Sequence, residues 1–209
     1  IIKLLKNINK YSKTQLELMY AAEILFGQKG INNTSHRDII NLTRQKNISA
    51  ITYHFGGIDG IVKSLLEIRM SSVDADREKK YNQIIGNNNI NNDSLIDAYI
   101  DPLYERCFQN KDCKNYIYFL KHLVSDYDFE FFDYLRNYSN ATNLIEKEIR
   151  TINTLDNDQM WKTKVINNAA FITTSLAFRR RELDNNQKVL SKKKYLTYLK
   201  KSVLNIFLF

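Results

Sequence analysis

Proline and glycine are scarce in this chain, with one and six copies among its 209 residues. Because both residues interrupt helices and form the turns between strands, their scarcity favours long helices over a strand-rich fold. Apolar and polar residues nowhere alternate over a sustained stretch, whereas several segments repeat apolar residues every three or four positions. We therefore predict an all-α protein.

Cysteine and long apolar runs are scarce as well. The two cysteines, Cys107 and Cys113, are too few for a disulfide framework, so we expect a reduced, cytoplasmic protein. No stretch approaches the roughly 18 apolar residues that a membrane-spanning helix needs, and no membrane partner is predicted. Hydrophobic residues nevertheless make up 44% of the chain, which is enough for a full core.

Positive charge is concentrated in the first third of the chain. The protein has 31 Lys and Arg against 23 Asp and Glu, a net charge of +8, and residues 1–70 hold ten of the cations but five of the acids. Such a basic segment is typical of a polyanion-binding region. The alternative is that enrichment in Lys, Asn, Ile and Tyr reflects an AT-rich genome.

The same third divides into a lysine-rich arm, residues 1–13, and three short helices. In SKTQLELMYAAEILFGQKG, Leu18, Ala22 and Phe26 fall on one apolar stripe, which predicts the first helix.

The second and third helices have cap residues at their starts. Ser35 and Asp38 have the spacing of a capping box, and Ile39 and Leu42 are expected to face the core of the second helix. Asn47 predicts the start of the third helix, ISAITYHF, which two consecutive glycines end.

From Ile58 onward the pattern is helical to the end of the chain. A long helix over 58–85 is followed by a polar, Asn-rich break. We divide the chain into a first domain, residues 1–66, and a larger second helical-bundle domain, residues 67–209. Further helices are predicted near residues 94–109, 113–126, 128–138, 140–153, 157–183 and 188–208.

Three blocks of the first domain resemble the N-terminal helix-turn-helix domain of TetR-type transcriptional regulators. The resemblance covers about residues 14–66 and rests on AAEILFGQKGINNTSHRDI and NISAITYHFGGIDGI. The chain departs from the family pattern in one extra residue before His54, in a polar TRQK turn, and in Ile58, where the family usually has a lysine. The matching positions are Leu18, Ala22, Leu25, Phe26, Gly30, Thr34, Ser35, Arg37, Ile39, Ile51, Tyr53, His54 and Phe55.

The resemblance implies a DNA contact on the third helix. Tyr53 and His54 are expected to donate hydrogen bonds to phosphates, with Ile51 and Phe55 anchoring the helix beneath them. The alternative is a partly buried pair that caps a core helix. The exposed face of the same helix would read base edges, between flanking basic side chains. The base-reading set is Ser49, Ala50 and Thr52, and the flanking set is Arg37, Arg44 and Lys46.

Two further DNA contacts are expected in the first domain. Thr34 and Ser35, with free backbone N–H groups at the start of the second helix, would hold another phosphate. The lysine-rich arm would enter a minor groove. The implied partner is a two-fold symmetric operator in double-stranded DNA, bound by a homodimer.

The second domain is expected to bind a small-molecule effector and to form the dimer interface, as in the regulators that the chain resembles. Its aromatic content suggests a ligand pocket, although the aromatics alternatively fill an ordinary core. The predicted pocket residues are Tyr99, Phe108, Tyr116, Phe119 and Trp161. The predicted dimer positions on the last two helices are Val165, Ala169, Ile172, Leu176, Leu196, Leu199, Val203, Ile206 and Phe207.

No catalytic or metal-binding constellation is predicted, and no cofactor. The histidines are not spaced with a second ligand as a metal site requires. His122 and Asp126 lie one helical turn apart, where a structural hydrogen bond is a simpler interpretation than an acid–base pair. We therefore predict a ligand-responsive repressor. The alternatives are a small all-α enzyme or ligand carrier, and a degenerate regulator that acts through protein–protein interaction.

Overall fold

The computed structural model describes residues 10–110, 113–126, 134, 137–154 and 157–209. Within these ranges the chain forms nine α-helices and no β-strand, so the predicted all-α class is confirmed. The predicted helix at 128–138 lies largely outside the described residues, as do residues 1–9 of the basic arm and the side chain of Asp126. None of the helices found in these ranges is long and apolar enough to cross a membrane.

Of the first three helices, the second begins at a predicted cap, Ser35, whereas the third has Ile48 as its N-cap, one residue after the predicted Asn47. Ser12 with Gln15, and Ser35 with Asp38, form complete capping boxes at the starts of the first two. Before the third, the side-chain oxygen of Asn47 accepts a hydrogen bond from the backbone N–H of Ser49 at 2.9 Å. These helices are α1 (Lys13–Lys29), α2 (His36–Asn41) and α3 (Ser49–Phe55).

The other helices build the larger part of the molecule, and several of them start at an Asn or Ser cap. Asn91, Asn157 and Ser191 each accept a backbone N–H bond at a helix start, because short polar side chains satisfy the donors that a first turn leaves open. The helices are α4 (Ile58–Gly86), α5 (Asn92–Gln109), α6 (Tyr116–Asp126), α7 (Asn140–Ile152), α8 (Asp158–Asp184) and α9 (Lys192–Leu208).

Helix α4 connects the two predicted domains. It has 29 residues and is roughly 43 Å long. Its first half packs against α1 and α3, and it also packs against α5 and α7. Helix α6 lies between α1 and α8, and α9 packs against α8 and α5. The predicted boundary at residue 66 falls inside α4, and one cluster of buried side chains extends from Leu18 to Phe207.

The apolar face predicted for the second helix and the one predicted for the dimer interface both differ from the prediction. Leu42 is 55% exposed because α2 ends at Asn41 and the chain turns away there; Ile40 is buried instead. Most of the apolar residues assigned to a dimer interface, such as Leu176 and Leu199, are buried within the chain itself. They pack α8 and α9 together and do not form a free face.

Candidate functional site

The outer face of α3 carries polar side chains above one apolar anchor. Ile51 is fully buried, while Ser49, Thr52 and Tyr53 are exposed. Tyr53 is 84% exposed, which is unusual for so large an aromatic side chain. Burial of Ile51 fixes the orientation of the helix, so the hydroxyl groups of the other three side chains face solvent.

His54 and Phe55 are half-buried beside Tyr53. The rings of Tyr53 and His54 meet edge to face, with centroids 4.9 Å apart, and those of His54 and Phe55 lie 6.3 Å apart. Phe55 packs against the core, as predicted. Tyr53 is therefore fully presented to solvent, and His54 is partly presented.

Two glycines make the sharp turn from α3 into α4 possible. Gly56 ends α3 in the left-handed conformation, with φ 75° and ψ −4°, where a side chain would be strained. Gly60 lies in the first turn of α4, where an added Cβ would overlap the carbonyl oxygen of Phe55. The close approach holds α3 against the start of α4.

A carboxylate on α1 anchors the turn between α2 and α3. Glu17 accepts a hydrogen bond from the backbone N–H of Arg44 at 2.7 Å and one from the side-chain amide of Gln45 at 3.4 Å. The Arg44 bond lowers the pKa of Glu17. The side chains of Arg44 and Lys46 on this turn are exposed. No local pattern predicts this contact, because its two residues are 27 positions apart.

The start of α2 differs from the prediction. The backbone N–H of Thr34 donates to the carbonyl of Ile31, and that of Ser35 donates to the Asp38 carboxylate at 2.8 Å. Thr34 is also buried, and its hydroxyl donates to the carbonyl of Gly30. The backbone N–H groups of Thr34 and Ser35 are therefore already bonded, and the Asp38 carboxylate lies beside Ser35, where a phosphate was expected.

Other predicted DNA-contacting residues divide between surface and core. Arg37 is exposed on α2. Ala50 is half-buried and packs against the core, as does Ile58, so neither lies on the outer face. The end of the basic arm is held on α4, where Lys10 forms an ion pair with Glu67 at 2.9 Å.

A cavity of about 130 Å³ lies among α4, α5, α6, α7 and α8. Tyr99, Tyr116 and Trp161, three of the predicted pocket residues, line it. Phe108 does not, because its ring stacks on Tyr104 with centroids 4.3 Å apart. Phe119 is also outside the lining and packs against Phe26 under α1. Some of the predicted aromatic residues therefore line the cavity, and the others fill the core.

Polar groups form a linked cluster on one wall of the cavity. Arg77 on α4 donates from Nε to the carbonyl of Tyr99 at 3.0 Å and from Nη1 to the Thr142 hydroxyl at 2.8 Å. The Tyr99 hydroxyl donates to Glu146 at 2.8 Å. Burial, followed by the charge of Glu146, raises the pKa of Tyr99 well above its ordinary value. The phenol therefore stays protonated as a donor to the carboxylate.

A buried ion pair joins α1 to α4. Arg69 donates to Glu23 through two bonds, at 2.8 and 2.6 Å, and a third bond reaches the sulfur of Cys113. Burial raises the pKa of Glu23, and the guanidinium offsets part of that rise. Neither residue was predicted to matter, because Glu23 looked like a surface position of an amphipathic helix.

In the ranges covered, no three His, Cys, Asp or Glu side chains are grouped as a metal site requires. Both cysteines are buried free thiols, and burial raises the pKa of Cys107, which disfavours a reactive thiolate.

No protein-family model matches the chain, and no curated protein matches it.

Proposed function

We propose that the protein is a TetR-like DNA-binding transcriptional regulator, with α1–α3 as a helix-turn-helix head and the cavity as an effector site. The outer face of α3 is the observation that carries the proposal. It presents Ser49, Thr52 and Tyr53 above a buried anchor, in a stretch from Ile39 to Ile58 that contains no acid. Hydroxyl donors on a segment that carries no carboxylate of its own suit a surface of phosphates and base edges.

Basic side chains beside this face strengthen the proposal. Arg44 and Lys46 are exposed on the turn before α3, and Arg37 is exposed on α2. Cations at such positions neutralise phosphates and release their counterions, which supplies most non-specific affinity. Glu17 holds the backbone of the turn, so the two neighbouring cations extend from a fixed segment.

Helix α4 supplies the proposed coupling between effector and DNA. Near its start, Gly60 contacts the end of α3; farther along, Arg69 pairs with Glu23 on α1. Two turns beyond, Arg77 lines the cavity. An effector that binds one position of α4 better than another would shift the population of head orientations. We expect this shift to release the operator, as in a repressor.

The proposal includes a homodimer, because paired heads reach successive major grooves on one face of DNA. The inward sides of α8 and α9 are used by the chain itself, so the outer sides are available. Phe178 on α8 and Tyr198 on α9 are 49% and 61% exposed there. Light scattering at micromolar concentration is expected to give the mass of a dimer, and a monomer would contradict this part of the proposal.

Selection of genomic DNA fragments by the purified protein tests the proposal. We expect enrichment of one two-fold symmetric sequence whose half-sites lie about one helical turn apart. The matched control is the double variant Thr52→Ala, Tyr53→Ala, which changes two exposed side chains and leaves Ile51 in place. Equal enrichment by the two proteins, or none by either, would refute DNA recognition through α3.

A further inference from the structure

The cavity itself indicates what kind of molecule it accepts, and this inference rests on the proposed effector role. We infer that the cavity binds a small, planar, largely apolar molecule with one carboxylate, and that the carboxylate pairs with the guanidinium of Arg77. Three observations support the inference: the unused donors of Arg77, the charges around it, and the size and character of the remaining lining.

Arg77 has hydrogen-bonding capacity left over. A guanidinium carries five N–H groups, and the bonds to the Tyr99 carbonyl and the Thr142 hydroxyl use two of them. Its centre also lies 5.1 Å from the centroid of the Tyr99 ring, which holds its orientation. The Nη2 end has no bond to any residue in the described ranges. A carboxylate is the partner that fits the free end of such a fork.

The charges near Arg77 leave it without a direct counterion. It forms no ion pair with the described part of the chain. The nearest linked carboxylate, Asp74, reaches it only through the Thr142 hydroxyl and is itself bonded to backbone N–H groups of α7. Glu146, an acid of the cavity lining, accepts a hydrogen bond from the Tyr99 hydroxyl. Lys162 on α8 adds an exposed cation at the rim. The site therefore favours an anion over an amine.

Size and lining fix the rest of the ligand. The volume of about 130 Å³ is close to the roughly 150 Å³ of an apolar cavity that holds benzene. Away from Arg77 the walls are mostly apolar and include Val73, Leu103 and Trp161. A single ring therefore fills the interior, and its carboxylate lies against the half-buried guanidinium.

Fluorescence of Trp161 reports on binding directly, because Trp161 is the chain's single tryptophan and lines the cavity. The probes are benzoate, benzamide, benzylammonium and toluene, which share the ring and differ in the polar group. We expect a saturable change with benzoate at a Kd about tenfold below that for benzamide. Benzylammonium should bind more weakly than either. Equal affinity for benzoate and benzamide, tighter binding of benzylammonium, or no saturable change with any probe would overturn the inference.

Variants of the full chain show which side chain causes the preference for benzoate over benzamide. Arg77→Gln should abolish the preference for benzoate over benzamide. Lys162→Gln changes an exposed side chain, so it still tests the inference if Arg77→Gln does not fold. This variant should weaken benzoate binding two- to threefold, and the effect should be larger at low salt. The matched control Arg106→Gln breaks an ion pair with Asp76 outside the cavity and should leave benzoate affinity unchanged. An effect of Arg106→Gln as large as that of Lys162→Gln would also count against the inference.

This test is independent of the DNA-binding proposal because it contains no DNA. Preference for benzoate without any DNA binding would leave the ligand class standing and refute the regulator. DNA selection through α3 without any preference for benzoate would support the regulator and refute the inferred ligand class.

Discussion

The head and the cavity are built in opposite ways. In the proposed head, the exposed side chains of α3 stand outside the packing, and mostly local bonds shape the helices that carry them. In the cavity, five helices each supply part of the wall, and the bonds from Arg77 to Thr142 and from Tyr99 to Glu146 join distant stretches of chain. Substitutions of the exposed residues in a surface site cost little folding stability. A cavity site shares its residues with the fold.

Helix α4 joins the two regions through one buried and one exposed ion pair. Arg69 and Glu23 are almost entirely inaccessible, whereas the side chain of Lys10 is 57% exposed in its pair with Glu67. Removing one partner of a buried ion pair leaves the other charge unpaired and strongly lowers the folding stability. An exposed ion pair contributes little to that stability. The two pairs therefore give the largest contrast that mutation can test.

The largest effect is expected from Glu23→Gln. Without its carboxylate partner, the buried charge of Arg69 is no longer compensated, and the free energy of unfolding should fall by about 3–5 kcal/mol. Urea unfolding followed by circular dichroism measures the loss. The control Glu67→Gln should cost about 1 kcal/mol or less, because its partner Lys10 is 57% exposed and the Gln oxygen can still accept from the Tyr11 hydroxyl. Similar losses for the two variants would remove the distinction between the pairs.

A smaller effect is expected at the junction of α3 and α4. The added methyl group of Gly60→Ala would meet the Phe55 carbonyl and should destabilise the protein by about 1–3 kcal/mol while weakening DNA binding. Gly86→Ala, at the open end of the same helix, meets nothing within 4 Å and should be neutral or slightly stabilising. Thermal unfolding and DNA titration check both variants, and an unaffected Gly60→Ala would contradict the close approach.

On the outer face of α3, Tyr53→Phe should leave folding unchanged and weaken DNA binding. The loss of one hydroxyl donor should cost about 1 kcal/mol of affinity, equally for operator and unrelated DNA, because a phosphate contact carries no sequence information. Tyr81→Phe, which removes a tyrosine hydroxyl near the far end of α4, is the control and should leave DNA affinity unchanged. Altered specificity with unchanged general affinity would instead assign Tyr53 to base reading.

The smallest effect concerns the start of α2. The Lys29 ammonium, followed by the hydroxyl and backbone N–H of Ser35, lowers the pKa of Asp38 below its ordinary value of 3.8. A carboxylate with a lowered folded-state pKa stabilises the protein above about pH 4, and the contribution is lost as pH falls through the folded value. Urea unfolding of Asp38→Asn should therefore approach that of the unaltered protein as pH falls below 4. A difference that stays constant down to pH 2.5 would show that the charge contributes nothing.

Local patterns in the sequence predicted the helices well. The Ser35–Asp38 capping box, the stripe of Leu18, Ala22 and Phe26, and the glycine after Phe55 act within a few residues, so spacing alone identifies them. Leu42 shows the limit: helical periodicity placed it inward, but α2 ends one residue earlier.

Contacts between distant segments could not be predicted. Glu17 and Glu23 both look like polar positions of one amphipathic helix, yet one holds the turn before α3 and the other is buried against Arg69. The cavity was anticipated only from aromatic content. Composition cannot separate Trp161, which lines it, from Phe119, which fills the core, because that depends on how the helices pack.

The dependence of DNA affinity on salt tests the central claim, that the face formed by α3 and its preceding turn binds DNA. Lys46 lies on that turn. Lys147 is an equally exposed lysine on α7, near the far end of α4, where its neighbour Glu148 accepts from Tyr81. Each alanine variant removes one charge from the chain. The slope of log affinity against log salt should fall by about 1 for Lys46→Ala and stay unchanged for Lys147→Ala. Equal slopes for the two variants, or a change with Lys147→Ala alone, would contradict the account.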